Sequence, residues 1–358
     1  MIIKFFRMKK CVYEYLLFGA IMLSGGKSTV LASDNNIINE DTIIDEMGSE
    51  NGSDDSEWPS SMVSGTLPVL FINTEAQAPI VDKVTPIPAG LWIEIPENCS
   101  EEDFALGSSD EPVSLTIRGR GNSSWLADKK PYKIKFDKKT EILGMPKHKH
   151  FALLPAQVTP VLGMELARQV GLGWASRSQP VEVVLNDEYL GLYNLFESVK
   201  IDSNRLDIFE QDDLCEDDEL IPYGWLVEID NYNDECQIVL DEPGRTTMKV
   251  TYHTPEELSD KQEQWLIDEF SKINDVINSE DYAVREHWAD YIDANSMAQY
   301  FIVREIVEDY DGFNGSMYMY RDNEGDASRW KMGPMWDVTF NAWNEPVDWT
   351  RTGTIPIK

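Results

Sequence analysis

The hydrophobic residues of this 358-residue chain change period partway along it, and this change limits the folds that it can adopt. Up to residue 241, short segments rich in β-branched and aromatic residues alternate with turn residues, which is typical of strands. These segments are 67–74, 90–95, 114–121, 130–136, 181–186, 189–197, 224–230 and 237–241. Two of them, 181–186 and 189–197, are separated by Asp187 and Glu188 and predict a β-hairpin.

The period becomes helical from residue 254 onward. Thr254, Pro255 and Glu257 have the N-cap, N1 and N3 chemistry of a capping box and predict a helix start. Apolar residues then recur at helical spacing: Leu258, Trp265, Leu266, Phe270, Ile273 and Ile277. A second helix is predicted from Asp293, with an apolar face of Met297, Tyr300, Phe301, Ile306 and Val307. The sequence therefore predicts an α+β fold with a strand-rich N-terminal half, a helical C-terminal half and two lobes.

The N-terminus has the pattern of a targeting segment. Residues 1–32 contain basic residues, then an apolar run over 12–23, then a small residue, Ala32, which predicts a secretory signal peptide. The run is short for a membrane span. The chain is therefore expected to be secreted or in the cell envelope, with membrane contact only through an uncleaved signal. Residues 33–62 predict an acidic flexible linker, and 63–358 form the predicted domain.

Charge and cysteine content exclude some classes of function. The net charge of −33 excludes sequence-independent nucleic-acid binding, which needs a basic surface. A nucleotide is still possible, since a divalent metal can bridge carboxylate and phosphate. Cys99, Cys215 and Cys236 would remain after signal removal, and an odd number does not describe a disulfide scaffold. Cys215 and Cys236 could pair, and two unpaired thiols fit equally well.

A glycine-containing loop and a pair of lysines indicate an anion site. Residues 118–124 (RGRGNSS) lie between two predicted strands, where glycines let backbone N–H groups approach an anion and Arg118 or Arg120 adds charge. A tight hairpin loop with a surface arginine fits the same residues. Lys133 and Lys135 share one strand face. A solvated sheet face would look the same, but their clustering in so acidic a chain favours an anion site.

Three polar residues near the C-terminus have the chemistry of a magnesium site. Asp311 and Asn314 lie in a loop after the second predicted helix, and Asp337 follows a short hydrophobic strand that is predicted to end at 335–336. Oxygen ligands on loops suit Mg²⁺, and two acids with an asparagine fit phosphoryl transfer. Ordinary turn residues explain the same pattern. Glu197, at a strand end, could pair with a strand lysine or be an ordinary strand-end acid.

Several stretches together resemble the CotH kinase family, atypical protein kinases first associated with bacterial spore coats. They are LTIRGRGNSSW with KKPYKIKF, ILGMPKHKHFALLPA, VEVVLNDEYLGLYNLFESV, GWLVEID, and DGFNGSMYMYRD with KMGPMWD. The resemblance implies an atypical protein-kinase-like two-lobed fold. It also implies transfer of the ATP γ-phosphate, with Mg²⁺ or Mn²⁺, to Ser or Thr hydroxyls of a protein such as a cell-surface protein.

The resemblance also implies residue roles. Asp311 would be the catalytic acid that receives the hydroxyl proton, Asp337 the metal-binding acid and Asn314 a supporting ligand. The residues implied in nucleotide contact are Arg118, Asn122, Ser123, Lys133, Lys135 and Glu197.

The chain departs from the family pattern in three places, and two of these departures, the missing second acid and the short C-terminus, favour an alternative, a catalytically degenerate CotH-like surface module. Thr339 stands where relatives often have a second acid. The segment after 153–156 lacks an acid and an Arg-Asn pair. The chain stops at Lys358, as a shortened relative or a truncated reading frame would. A glycosidase, which needs two carboxyls as acid and base, gives Asn314 and the lysines no role.

Overall fold

The computed structural model describes residues 65–97, 104–243, 245–309, 311–323 and 329–338. The predicted signal peptide (1–32) and linker (33–62), Cys99 and Thr339 lie outside these ranges. Among the helices within them, none combines the length and apolar character needed to span a membrane.

In this part of the chain, seven strands close into a barrel in the order β1-β2-β3-β4-β5-β7-β6. The strands are β1 (Val69–Thr74), β2 (Ile87–Glu94), β3 (Val113–Gly119), β4 (Tyr132–Ile142), β5 (Met145–Pro155), β6 (Ser178–Leu185) and β7 (Glu188–Glu197). Neighbouring strands are antiparallel except β1 and β6, whose parallel pairing closes the ring. Alternation directs Ile134 and Phe136 into the barrel core, where both are fully buried. The same alternation directs Lys133 and Lys135 outward.

The predicted hairpin is confirmed with a shifted turn. Asn186 and Asp187 both have positive φ, 49° and 66°, as the two central residues of a type I′ turn require. Glu188, which was predicted as a turn residue, therefore begins β7. Its neighbour Tyr189 donates a hydrogen bond to Glu182 across the hairpin at 2.7 Å.

A second unit follows the barrel and confirms the α+β class. Its five-stranded sheet has the order β12-β11-β8-β10-β9 within the described residues. The strands are β8 (Trp225–Ile229), β9 (Gln237–Leu240), β10 (Met248–Thr254), β11 (Met317–Arg321) and β12 (Lys331–Met332). The helices are α1 (Val158–Val170), which follows β5, then α2 (Asp260–Ile277), α3 (Tyr282–Arg285) and α4 (Ala294–Ile306). The C-terminal half is thus sheet and helix together, and not helical alone.

The second unit has its own apolar core, which also touches the outside of the barrel. Trp225, Phe270 and Trp330 are fully buried in it. Phe196, on the outer face of β7, packs edge-on against Trp336 with ring centroids 6.2 Å apart. The outer face of the barrel therefore faces the second sheet and its helices.

The predicted start of the first helix of the second half is wrong. Thr254 is the last residue of β10 and pairs with Leu226 of β8, while α2 begins at Asp260 with Ser259 as its N-cap. Ser259 and Gln262 form the reciprocal capping box, with Gln262 N donating to Ser259 Oγ at 3.2 Å and Ser259 N donating to Gln262 Oε1 at 2.9 Å. Two sequences with cap chemistry therefore lie five residues apart, at Thr254 and Ser259. The first pairs as part of strand β10, and the second caps the helix.

Two further details differ from expectation. The strand predicted to end at 335–336 is confined to β12, and residues 333–338 are irregular. On α4, Tyr300 and Val303 are buried as an apolar face requires, but Phe301 and Ile306 are 39% and 57% exposed. The buried face of α4 instead includes Arg304, which is 0% exposed.

Replacing Ser259 with alanine is expected to lower the free energy of unfolding by about 1–2 kcal/mol. The variant loses the bond from Gln262 N and the bond that Ser259 Oγ donates to Cys215 O at 2.6 Å. Urea denaturation measures the change, and Ser203→Ala, at an exposed loop serine, is the matched control. Equal stability of the two variants would contradict this assignment of the cap.

Both described cysteines, Cys215 and Cys236, are free thiols. Of the two arrangements that the sequence allowed, the structure has the unpaired one.

Candidate active site between the barrel and the second sheet

A cavity of about 650 Å³ lies against the outer face of β3 and β4. Strand register places Arg118 beside Lys133 and Thr116 beside Lys135. All four line the cavity, together with Lys149, His150, Lys200 and Glu256. The fold therefore brings together three of the residues that the sequence assigned to anion binding, Arg118, Lys133 and Lys135.

The cations of this cavity repel one another. Desolvation, followed by the charges of Arg118 and Lys200, lowers the pKa of Lys133 to about 8. Lys200 donates to Glu256 Oε1 at 2.8 Å, and this hydrogen bond lowers the pKa of Glu256. Several positive charges thus lie around two carboxylates, Glu256 and Asp137, in a partly desolvated space. A bound anion would relieve the repulsion.

The glycine-containing loop lies beside the cavity and is tied to the segment before β2. Arg118 Nη1 donates to Lys83 O, and Lys83 Nζ donates to Asn122 Oδ1 at 3.1 Å. Gly121 has a φ of 82°, a conformation that favours glycine. Asn122 and Ser123 are exposed and do not belong to the cavity lining, so their predicted nucleotide contacts stay predictions.

Arg120 connects the cavity to the predicted metal-binding acid. Its guanidinium lies 5.3 Å from the ring centroid of Trp336. Burial lowers its pKa, and the negative charge of Asp337 opposes this shift. The sequence offered Arg120 only as an alternative to Arg118, because nothing local distinguishes two arginines on either side of one glycine.

Asp337 lies in an irregular segment with a left-handed backbone, φ 47°. Its side chain reaches solvent, and within the described residues its carboxylate oxygens accept no hydrogen bond. The protein atoms around it raise its pKa by desolvation; Arg120 and Arg304 oppose this shift, while Asp309 adds to it. Asp337 is therefore a partly desolvated acid that still reaches solvent and interacts with the charges of Arg120 and Arg304.

The loop with Asp311 and Asn314 follows α4 directly. Asp311 begins a 3₁₀ turn, Asp311–Phe313, and Asn314 N donates to Asp311 O at 2.8 Å. Both side chains are exposed. Two residues earlier, Asp309 is 1% exposed and forms an ion pair with Arg304. Arg304 also donates to Asp337 O at 3.0 Å, so this loop and the Asp337 segment meet at one guanidinium.

Two further acids, Glu228 in β8 and Asp230 directly after it, were not assigned from the sequence. Burial would raise the pKa of Glu228, but hydrogen bonds from His253, Tyr318 and Ser316 outweigh it and lower the pKa. Asp230 Oδ1 lies against Gly315, where an added Cβ would be 2.8 Å from it. The sequence signal was the presence of these two acids in the otherwise apolar segment GWLVEID.

Glu197 is fully buried and forms an ion pair with Arg177. Arg177 Nε donates to Glu197 Oε2 at 2.8 Å and Nη2 donates to Oε1 at 2.9 Å. The backbone N–H of Arg177 adds a third hydrogen bond at 3.0 Å. Glu197, at the end of its strand, therefore pairs with Arg177 and not with a lysine of β4. A nucleotide contact by Glu197 stays a prediction.

The chemistry of Asp337 fits Mg²⁺. The ion needs one or two carboxylates and fills its other positions with water and phosphate oxygens. Among residues 65–338 that the structure describes, no donor binds the carboxylate of Asp337, and Asp309 and Glu228 add negative charge nearby. Within the described residues, no group of three or more His, Cys, Asp or Glu forms a ready-made metal cage. Water and phosphate oxygens would complete the coordination of an ion held by Asp337.

Comparison with models of protein families matches residues 117–354 to the family described as CotH kinase protein. The match begins in β3 and includes the cavity-lining residues from Arg118 onward, Asp311 and Asp337. No curated protein sequence matches the chain.

Proposed function

The chain belongs to the CotH kinase protein family, and we propose that it transfers the γ-phosphate of ATP to Ser or Thr hydroxyls of a protein. The observation that carries the proposal is a row of interacting charges that leads from the cavity to Asp337. Arg118 and Lys133 line the cavity, the charge of Arg120 acts on Lys133, and Arg120 in turn interacts with Asp337. Phosphoryl transfer needs such an arrangement, because positioning and charge neutralisation supply most of its catalysis.

In this proposal each residue has a defined task. Lys133 and Arg118 bind phosphate oxygens, and Arg120 lies between the phosphates and Asp337. Asp337 and Asn314 hold Mg²⁺ or Mn²⁺, which when bound neutralises charge on the triphosphate. Asp311 orients the acceptor hydroxyl and accepts its proton. The barrel and the second sheet with its helices would be the two lobes of a kinase-like fold.

The proposed setting is outside the cytoplasm. Residues 1–32 have the n-region, apolar run and small-residue end of a signal peptide. A secreted or cell-envelope protein with accessible hydroxyls is therefore the proposed substrate. The net charge of −33 argues against a nucleic-acid partner.

Nucleotide binding is tested by thermal unfolding with ATP and MgCl₂. Ligand at 100 times its Kd stabilises the folded state by about 2.7 kcal/mol, so the wild-type protein is expected to unfold at a higher temperature. Lys133→Met is expected to lose most of this shift, because it removes a partly desolvated cation of the cavity. The matched control is Lys138→Met, on the exposed part of the same strand and outside the cavity lining.

Two results of the thermal-unfolding test would contradict the proposal. No shift in the wild-type protein at millimolar ATP would reject nucleotide binding and favour the surface module. An equal loss in both lysine variants would reject the cavity as the binding site.

A further inference from the structure

Arg304, on α4, is fully buried although its guanidinium group carries a positive charge. Its side chain is 0% exposed, as is that of its ion-pair partner Asp309. A charge removed from water costs several kcal/mol unless pairing and hydrogen bonds compensate for it. The partners of Arg304 come from three separate segments of the chain.

One guanidinium group binds both loops of the candidate active site. Nη2 donates to Trp336 O at 2.8 Å and Nη1 donates to Asp337 O at 3.0 Å. Nη1 also pairs with Asp309 Oδ2, and the other oxygen of Asp309 accepts from Gly312 N at 3.2 Å. The same cation therefore fixes the backbone of Asp337 and, through Asp309, the turn that contains Asp311.

Tyr300 completes the connection from the previous turn of α4. Its hydroxyl accepts from Arg304 Nη2 at 2.8 Å and donates to Gly312 O at 2.9 Å. Gly312 is buried so closely against the guanidinium that an added Cβ would lie 2.3 Å from Arg304 Cζ. The turn is thus held by hydrogen bonds and by shape.

We propose that Arg304 is the positioning residue that sets Asp311 and Asp337 relative to each other, a role that rests on the proposed phosphotransfer. The two acids lie 26 positions apart in sequence, and their segments meet at this guanidinium. Arginine suits the task because its planar fork has five donors, whereas lysine has three donors on one atom.

The test compares Arg304→Lys and Gly312→Ala with a control. Arg304→Lys keeps the charge but cannot bind both carbonyls and Asp309 together. Gly312→Ala keeps the guanidinium and pushes the turn away from it. Arg321→Lys is the matched control, because Arg321 is also buried and pairs with Glu269 at 2.6 Å, between β11 and α2.

Both test variants are expected to lower kcat about 100-fold, as a 1 Å misplacement of reacting groups does, with little change in KM for ATP. Hydrogen exchange is expected to accelerate in peptides covering 311–316 and 332–338 together, and nowhere else to the same extent. The control is expected to leave kcat and both segments unchanged.

The hydrogen-exchange result tests the positioning role of Arg304 even if the protein transfers no phosphate. Faster exchange in only one segment, in neither, or equally in Arg321→Lys would overturn the role of Arg304. A wild-type protein that transfers no phosphate would reject the proposed function, and joint exchange of the two segments would still show that Arg304 joins them.

Discussion

Replacing Asp337 with asparagine is expected to lower phosphate transfer about 10³-fold, the upper range for loss of one electrostatic stabiliser. Asparagine keeps the shape of the side chain but lacks the negative charge that would hold the divalent cation on the triphosphate. It also tolerates the left-handed backbone at φ 47°, where alanine would add strain of about 1–2 kcal/mol. Transfer of radiolabelled phosphate from ATP to an acceptor protein, compared with Mg²⁺ and with Mn²⁺, measures the effect.

The same variant is expected to unfold no more easily than the wild-type protein in buffer without divalent cations. Desolvation raises the folded-state pKa of Asp337 above its usual 3.8. The folded state then binds more protons than the unfolded state, so stability is lost as pH rises from 3.8 through the raised pKa. The Asp337→Asn variant does not have this loss of stability. Its thermal unfolding midpoint at pH 7 should therefore equal or exceed that of the wild-type protein.

Asp268→Asn is the control, because it changes an exposed acid on α2 that does not line the cavity. It should retain full transfer. Unchanged transfer in Asp337→Asn, with a folded circular dichroism spectrum, would reject Asp337 as the metal-binding acid.

The strands could be predicted because their pattern is local. In β4, burial alternates from Ile134 to Phe136 around an outward Lys135, and the sequence shows that alternation directly. Closure of the barrel could not be predicted, since it depends on the parallel pairing of β1 with β6, more than 100 residues away. Periodicity identifies strands, but it does not identify their partners.

The convergence of the cations could be predicted from the sequence, whereas the surroundings of the acids could not. Arg118, Lys133 and Lys135 lie on adjacent strands, and their convergence follows from period and register. Asp309 was missed because its partner, Arg304, occupies the helix face that the apolar pattern assigned to Phe301 and Ile306. A buried arginine is indistinguishable in sequence from an exposed one, because only the carbonyls of distant loops make its burial favourable.

Replacing Glu197 with alanine is expected to lower the free energy of unfolding by about 3 kcal/mol, the lower end of the cost of breaking a buried ion pair. The lower end applies because Arg177 is 40% exposed and water can solvate part of the released guanidinium. The variant also leaves the N–H of Arg177 without its carboxylate acceptor. Chemical denaturation of the variant and the wild type measures the difference.

Glu165→Ala is the matched control for this last effect, because Glu165 also forms an ion pair with an arginine, Arg168, at 2.9 Å on the surface of α1. Exposed pairs contribute only about 0–1 kcal/mol, so this variant should stay close to wild-type stability. ATP affinity in the folded Glu197→Ala protein decides between the two roles of Glu197. Unchanged affinity with lower stability assigns it to the barrel framework, whereas weaker binding at unchanged stability would restore the nucleotide contact that the family resemblance implies.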